Sequence, residues 1–269
     1  MSVQVGFLGY GNMAAAIVEG LLEKGDFGPK SMLAYDPLPA RGEAAEALGI
    51  GLAASPEALA RNADVLVLAV KPQQMAIALE QIRPGLRPET LLISIAAGIS
   101  TEYIRARLGA AARVIRVMPN TPAMVQAGAA GVAAGAGCTE DDVALALRLF
   151  EAIGIAVRIE EAQMDALTAL SGSGPAYFFY MVECLIEAAV AEGLARETAA
   201  RLAAQTLFGA GKLLVCSDET PADLRRKVTS PGGTTEAALR RFKDGGLETL
   251  VRDAVAAAVR RSRELGARE

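Results

Sequence analysis

Residues 3–25, VQVGFLGYGNMAAAIVEGLLEKG, pass from a β-like run through a glycine turn straight into an apolar helical pattern that stops at Gly25. This handover opens a chain in which strand and helix patterns alternate for about 160 residues. SMLAYD (31–36), ADVLVLAV (63–70), TLLISIA (90–96) and ARVIRVM (112–118) repeat the strand theme, and an Ala/Glu-rich stretch and STEYIRARL (100–108) supply helices between them. Such alternation predicts a doubly wound, mainly parallel sheet.

After about Asp165 the strand signals vanish, which places a domain boundary at 163/164. Residues 1–163 are expected to bind a dinucleotide, and 164–269 to form an all-α domain. The segment 175–193, PAYFFYMVECLIEAAVAEG, is apolar on nearly every face, with glutamates only at 183, 187 and 192. A helix of that kind needs burial on several sides, so it is expected to meet a second copy of the chain. Further helices are expected at about 198–216 and 247–265.

The glycine turn has the spacing G-x-G-x-x-A, with Gly9 for the tight bend, Gly11 for close backbone approach and Ala14 for helix–strand packing. Asn12 and Met13 complete the helix start, whose amides favour a pyrophosphate. Asp36, twenty-two residues past Ala14, ends the second strand, where a carboxylate can take ribose hydroxyls. Val70, Lys71 and Pro72 in AVKP, Ala97 in SIAAG, and Asn120 in MPNTP lie in loops expected to reach the same crevice, since ligands of such sheets sit beyond the carboxyl ends of strands.

Composition narrows the chemistry. The chain has no histidine, which closes every mechanism that uses imidazole as acid, base or metal ligand. Three cysteines without C-x-x-C spacing give no metal cluster and fit a reducing compartment. A net charge of −4 argues against nucleic acid or an anionic membrane as the main partner. Without a visible signal peptide or an uninterrupted apolar stretch long enough to span a bilayer, a soluble cytoplasmic protein is expected. There is no Y-x-x-x-K, and no lysine follows Gly172-Ser173-Gly174 on its helix. Carbonyl reduction is poorly equipped, whereas a cyclic imine, protonated on nitrogen before hydride arrives, needs mainly positioning.

GFLGYGNMAAAI, AVKP, MPNTPAMV, LSGSGPAY and above all SPGGTT, in this order, resemble pyrroline-5-carboxylate reductase, an enzyme of proline biosynthesis. The resemblance runs from about residue 3 to the final helix. It implies a Rossmann-type N-terminal domain, a C-terminal helical domain that interleaves with its twin, a homodimer, and in many members a ring of five dimers. It also implies that Ser230, Gly232, Gly233 and Thr234 hold the carboxylate of 1-pyrroline-5-carboxylate, and that Thr235 meets the ring nitrogen and serves catalysis. Glu161 and Asp218 fall near the family's acidic positions around the pocket, and both also read as plain surface carboxylates. NAD(P)H is the implied coenzyme. Many relatives carry serine or threonine where Asp36 stands, so NADH is expected to be preferred, with Arg41 the one nearby basic group. A related six-membered imino acid and a non-catalytic dinucleotide sensor stay open as alternatives.

Overall fold

The computed structural model describes residues 3–266. The chain folds into two compact units, Met1–Ser173 with Ala258–Glu269, and Gly174–Ala257. The first unit thus reaches ten residues beyond the boundary read at 163/164. The strand pattern ends there, but burial does not: Met164 and Ala169 are fully enclosed.

In the first unit, strands β1 (Val5–Leu8), β2 (Met32–Tyr35), β3 (Gly51–Leu52), β4 (Val65–Leu68), β5 (Leu91–Ser94), β6 (Arg113–Met118), β7 (Gly128–Ala134) and β8 (Gly154–Arg158) make one sheet of order 3-2-1-4-5-6-7-8. Every pairing is parallel except β6 with β7, so β7 and β8 run against the rest. The first six strands have the Rossmann order.

The central strands are continuous apolar runs because helices cover both faces. Val65 and Val67 join one core with Ile17, Leu21, Leu149 and Phe150, while Leu66 and Leu68 join the other with Leu59, Leu79, Ile82 and Ile104. The helices behind these residues are α1 (Asn12–Lys24), α2 (Pro39–Ala47), α3 (Pro56–Asn62), α4 (Met75–Ile82), α5 (Thr101–Leu108) and α6 (Glu140–Glu151). After β8 comes the short α7 (Met164–Leu167), which runs into a π-helical turn, Thr168–Gly172.

The second unit consists of α8 (Gly174–Ala191), α9 (Arg196–Cys216), α10 (Pro221–Lys227), α11 (Thr234–Asp244) and the greater part of α12 (Leu247–Gly266). Within Gly174–Ala257 only Gly174 and Ala199 are buried. Phe179 is 59% exposed and Val215 84%. Between α8 and α9 an apolar groove of about 350 Å³ is lined by Phe178, Met181, Leu185, Leu202 and Leu207. The helical run Glu161–Ala191 is, by length and composition alone, long and apolar enough to cross a membrane. The sequence holds no uninterrupted apolar stretch of that length, but a helix tolerates the odd glutamate within such a window.

Candidate active site

The turn between β1 and α1 is built for close approach. Gly9 has φ +91°, and a Cβ there would lie 2.8 Å from the Ala69 carbonyl oxygen, so no other residue fits without moving backbone. Gly11 precedes α1 without any side-chain cap, and the first turn carries no acidic residue. Three other helices of this unit are capped by hydroxyls, Ser55 for α3, Ser100 for α5, and Thr139 with Asp142 for α6, while α2 and α4 share with α1 the lack of a side-chain cap. The amides of Asn12, Met13 and Ala14 therefore lack intrahelical acceptors and point their partial positive charge outward. An anion at such an end gains about 0.3–1 kcal/mol, and up to about 2 kcal/mol when partly buried.

Asp36 lies just past β2, as expected, but its carboxylate is not bare. Oδ2 accepts from the Tyr10 amide at 2.8 Å and from Arg41 Nη1 at 3.2 Å, and Oδ1 accepts from the Leu38 amide at 3.0 Å. The side chain is 3% exposed, while Arg41 remains nearly half exposed. Arg41 Nη1 also stands 3.5 Å from where a Gly11 Cβ would be. Asp36 thus fastens the glycine turn to β2, with a cation held over the turn. The fit to a dinucleotide is good: a glycine cradle without Cβ atoms, unpaired amides, and a carboxylate and guanidinium at the β2 end.

The other expected loops follow the carboxyl ends of β4, β5 and β6, on the same edge of the sheet. Val70 packs its Cγ1 near Gly9, and Lys71 is exposed at the start of the short helical turn Pro72–Gln74. Ala97 is exposed before Gly98. Asn120 lies half-buried past β6, and its side chain is already committed: Nδ2 donates to the Ser171 carbonyl at 3.1 Å and Oδ1 accepts from the Ala129 amide at 2.9 Å.

Glu161 corrects its surface reading. It accepts from the Thr101 amide at 2.8 Å and the Thr101 hydroxyl at 2.5 Å, and lies 3.6 Å from the buried Arg116. It serves the start of α5. Asp218 is exposed. Among the described residues no cluster of acidic or cysteine side chains could hold a metal.

In the second unit, Ser230, Gly232, Gly233, Thr234 and Thr235 form the entry to α11. Gly232 takes φ +71°, and Gly233 is the N-cap with no side-chain cap. A Cβ on Gly233 would collide with Ser230 Oγ at 2.5 Å. Neither threonine caps the helix; both stand in its first turn. The Gly233 amide donates to the Ser230 carbonyl at 3.0 Å and the Gly232 amide to Glu236 Oε2 at 2.8 Å. That leaves the amides of Thr234, Thr235 and Glu236 as the unpaired donors of the helix start. A carboxylate already sits on this loop, from the chain's own Glu236.

A crevice of this kind on this sheet order belongs to the nicotinamide-dependent oxidoreductases. Residues 4–98 match a family described as NADP oxidoreductase, coenzyme F420-dependent, and residues 161–265 one described as pyrroline-5-carboxylate reductase dimerisation. Pyrroline-5-carboxylate reductase of Pseudomonas aeruginosa is 44% identical, covering 97% of this chain and 96% of that protein. The enzyme of the same name from Methanosarcina acetivorans is 39% identical, covering 98% of both. A solved pyrroline-5-carboxylate reductase from Coxiella burnetii superposes with a TM-score of 0.94 at 39% identity, over 98% of this chain and 99% of that one. One from Plasmodium falciparum with NADP bound gives 0.84 at 32%, over 98% of each. The chain belongs to the pyrroline-5-carboxylate reductase family.

Sequence reasoning missed the residues that fix the loops to one another: the Tyr10 amide on Asp36, Ser171 and Ala129 on Asn120, and Thr101 on Glu161. The last three pairings join positions 51, 9 and 60 residues apart, and no local pattern announces them.

Proposed function

We propose that this protein reduces the C=N bond of 1-pyrroline-5-carboxylate to give L-proline, using a reduced nicotinamide dinucleotide. The observation that carries the reading is the SPGGTT entry to α11, intact and without a side-chain cap, in a chain of this family. The coenzyme supplies the hydride. Gly9, Gly11 and the amides of Asn12, Met13 and Ala14 hold its pyrophosphate, Asp36 and Arg41 face its adenosine end, and Val70, Lys71, Pro72 and Ala97 line the remaining wall.

The substrate carboxylate takes the amides of Gly232, Thr234 and Thr235 at the α11 start, with Ser230 beside it, while the Gly233 amide stays on the Ser230 carbonyl. To do so it displaces Glu236 Oε2 from the Gly232 amide, exchanging one carboxylate for another at little electrostatic cost. Thr235 Oγ1 orients the ring nitrogen and holds its proton. This arrangement needs no imidazole, in keeping with a chain that has none.

NADH is the preferred coenzyme in this reading. The Asp36 charge stands at the β2 end and already engages Arg41, the cation a 2′-phosphate would need. The chain works as a homodimer, assembled in cytoplasm and open to further association into a ring of five dimers. The support is the exposed apolar surface of α8 and α9, which the second unit cannot cover by itself. A protein partner, rather than lipid, then covers the apolar run ending at Ala191.

The test is loss of reduced-nicotinamide absorbance with pyrroline-5-carboxylate, NADH and NADPH in turn, and with the six-membered homologue as competitor. Turnover of the five-membered imine is expected. Failure with both coenzymes would favour a sensor, and faster turnover of the larger ring would reassign the substrate.

A further inference from the structure

The loop position of Asn120 predicts a contact with the coenzyme, yet its hydrogen bonds are nearly used up. A carboxamide offers two N–H donors and one acceptor oxygen with two lone pairs. Both donors of Asn120 face Ser171, at 3.1 Å to the carbonyl and 3.4 Å to Oγ, and Oδ1 takes the Ala129 amide at 2.9 Å. One lone pair is left. The partners also fix which way the amide faces, since only the nitrogen can donate to Ser171 and only the oxygen can accept from Ala129.

The Ser171 end of this clamp lies in an unusual piece of backbone. Residues Thr168–Gly172 form a π-helical turn closed by the Ser173 amide on the Thr168 carbonyl at 2.8 Å, a wider ring than an α-helix makes. The Ser171 carbonyl is free to accept from outside because the residue four on, Pro175, has no amide N–H to occupy it. Gly172 is pressed on the end of β6: a Cβ there would lie 3.0 Å from Met118 Cε. The turn is therefore tied to the sheet by packing at Gly172 and by the carboxamide at Ser171, on the edge where ligands of such folds bind.

We propose that Asn120 is a positioning residue rather than a coenzyme ligand. Its carboxamide locks the π turn against the end of β6, and the locked turn forms the wall that seats the reacting end of the coenzyme. The proposal rests on the reductase reading for its catalytic consequence, and on the hydrogen-bond geometry alone for the clamp. A wall that shifts by a fraction of an ångström changes the approach of the reacting atoms more than it changes binding of the whole dinucleotide.

The experiment uses the full chain with Asn120→Asp and Asn120→Ala. Aspartate keeps the acceptor for Ala129 but sets an oxygen against the Ser171 carbonyl, so it breaks only the π-turn half of the clamp. Three quantities are read: Kd for NADH from its own fluorescence without imine, kcat at saturation, and amide hydrogen exchange of residues 168–173. Kd is expected to stay within about twofold while kcat falls by about tenfold or more, with faster exchange at Ser173. A Kd weakened about tenfold with kcat retained makes Asn120 a ligand and overturns the proposal, as do wild-type values for all three. If neither variant folds, the wild type decides: slow exchange of the Ser173 amide without coenzyme is required, and fast exchange overturns the clamp. A wild type that binds NADH but never reduces pyrroline-5-carboxylate removes the reductase reading, while the exchange result still judges the clamp.

Discussion

Replacing Asp36 by serine tests two functions of one carboxylate. Tyr10 N–H at 2.8 Å, Leu38 N–H at 3.0 Å and Arg41 at 3.2 Å converge on it, and it is 3% exposed. A hydrogen bond to a charged group contributes about 1.5–3 kcal/mol. The Arg41 contact is discounted to below about 1 kcal/mol because the guanidinium is nearly half in solvent. A serine hydroxyl replaces at most one of the amide contacts, so the loss of stability should be about 2–4 kcal/mol. For the coenzyme, like charges about 4 Å apart near a surface repel by up to about 4 kcal/mol before screening. Arg41 and salt reduce this to about 1.4 kcal/mol, which is roughly tenfold in kcat/KM. The assay is kcat/KM for NADH and NADPH under saturating imine, in wild type and Asp36→Ser, beside thermal melts. Wild type should favour NADH; the variant should lose that preference and melt lower. A strong wild-type preference for NADPH, unchanged by the substitution, would refute the electrostatic reasoning. An unchanged melting temperature would refute the tie between Asp36 and the glycine turn.

Three other substitutions probe separate parts of the molecule. Thr235→Ala should lower kcat by roughly tenfold to a hundredfold, the equivalent of a lost hydrogen bond to a charged group, and Thr235→Ser should restore most of it; equal wild-type rates for both would remove Thr235 from the chemistry. Phe179→Glu places a charge on the apolar face of α8, and light scattering should report monomer or aggregate where wild type is dimer; a stable wild-type monomer at micromolar concentration would end the dimer reading. The Tyr10 hydroxyl is buried without a partner, and burial, with the nearby Glu19 charge, pushes its pKa from 10.0 to about 12. The unfolded chain ionises first, so stability is full below pH about 10 and declines as pH rises towards about 12. Tyr10→Phe should flatten that decline and leave neutral-pH stability equal or higher; urea titrations showing a loss above about 1 kcal/mol at neutral pH would mean that the hydroxyl is satisfied after all.

The five strands named from sequence are found within a residue or two of their expected places, because a strand buried on both faces leaves a continuous apolar run. β7, GAAGVAA, and β8, GIAVR, carried no such mark. β7 is mostly glycine and alanine, poor strand formers held here by pairing with β6 and β8. Gly131 shows why small residues are needed: a Cβ would meet Leu167 Cδ1 at 2.3 Å. At the site, the glycine spacing and the SPGGTT bend were legible because bare backbone is itself the signal. What Asp36, Asn120 and Glu161 do with their polar atoms was not, since each bonds a backbone group that only the folded chain brings near. The end of α12 was no more legible: there the Ser262 hydroxyl donates to the Asp165 side chain, 97 residues away in sequence, at 2.6 Å.

Transfer of a labelled hydride tests the central claim most directly. Reduced coenzyme carrying deuterium on the transferred position of C4, mixed with the protein and unlabelled pyrroline-5-carboxylate, should yield proline with a single deuteron on the former C=N carbon, seen by mass spectrometry. Proline without label, or oxidation of the coenzyme without proline, would contradict direct reduction of the imine by this chain.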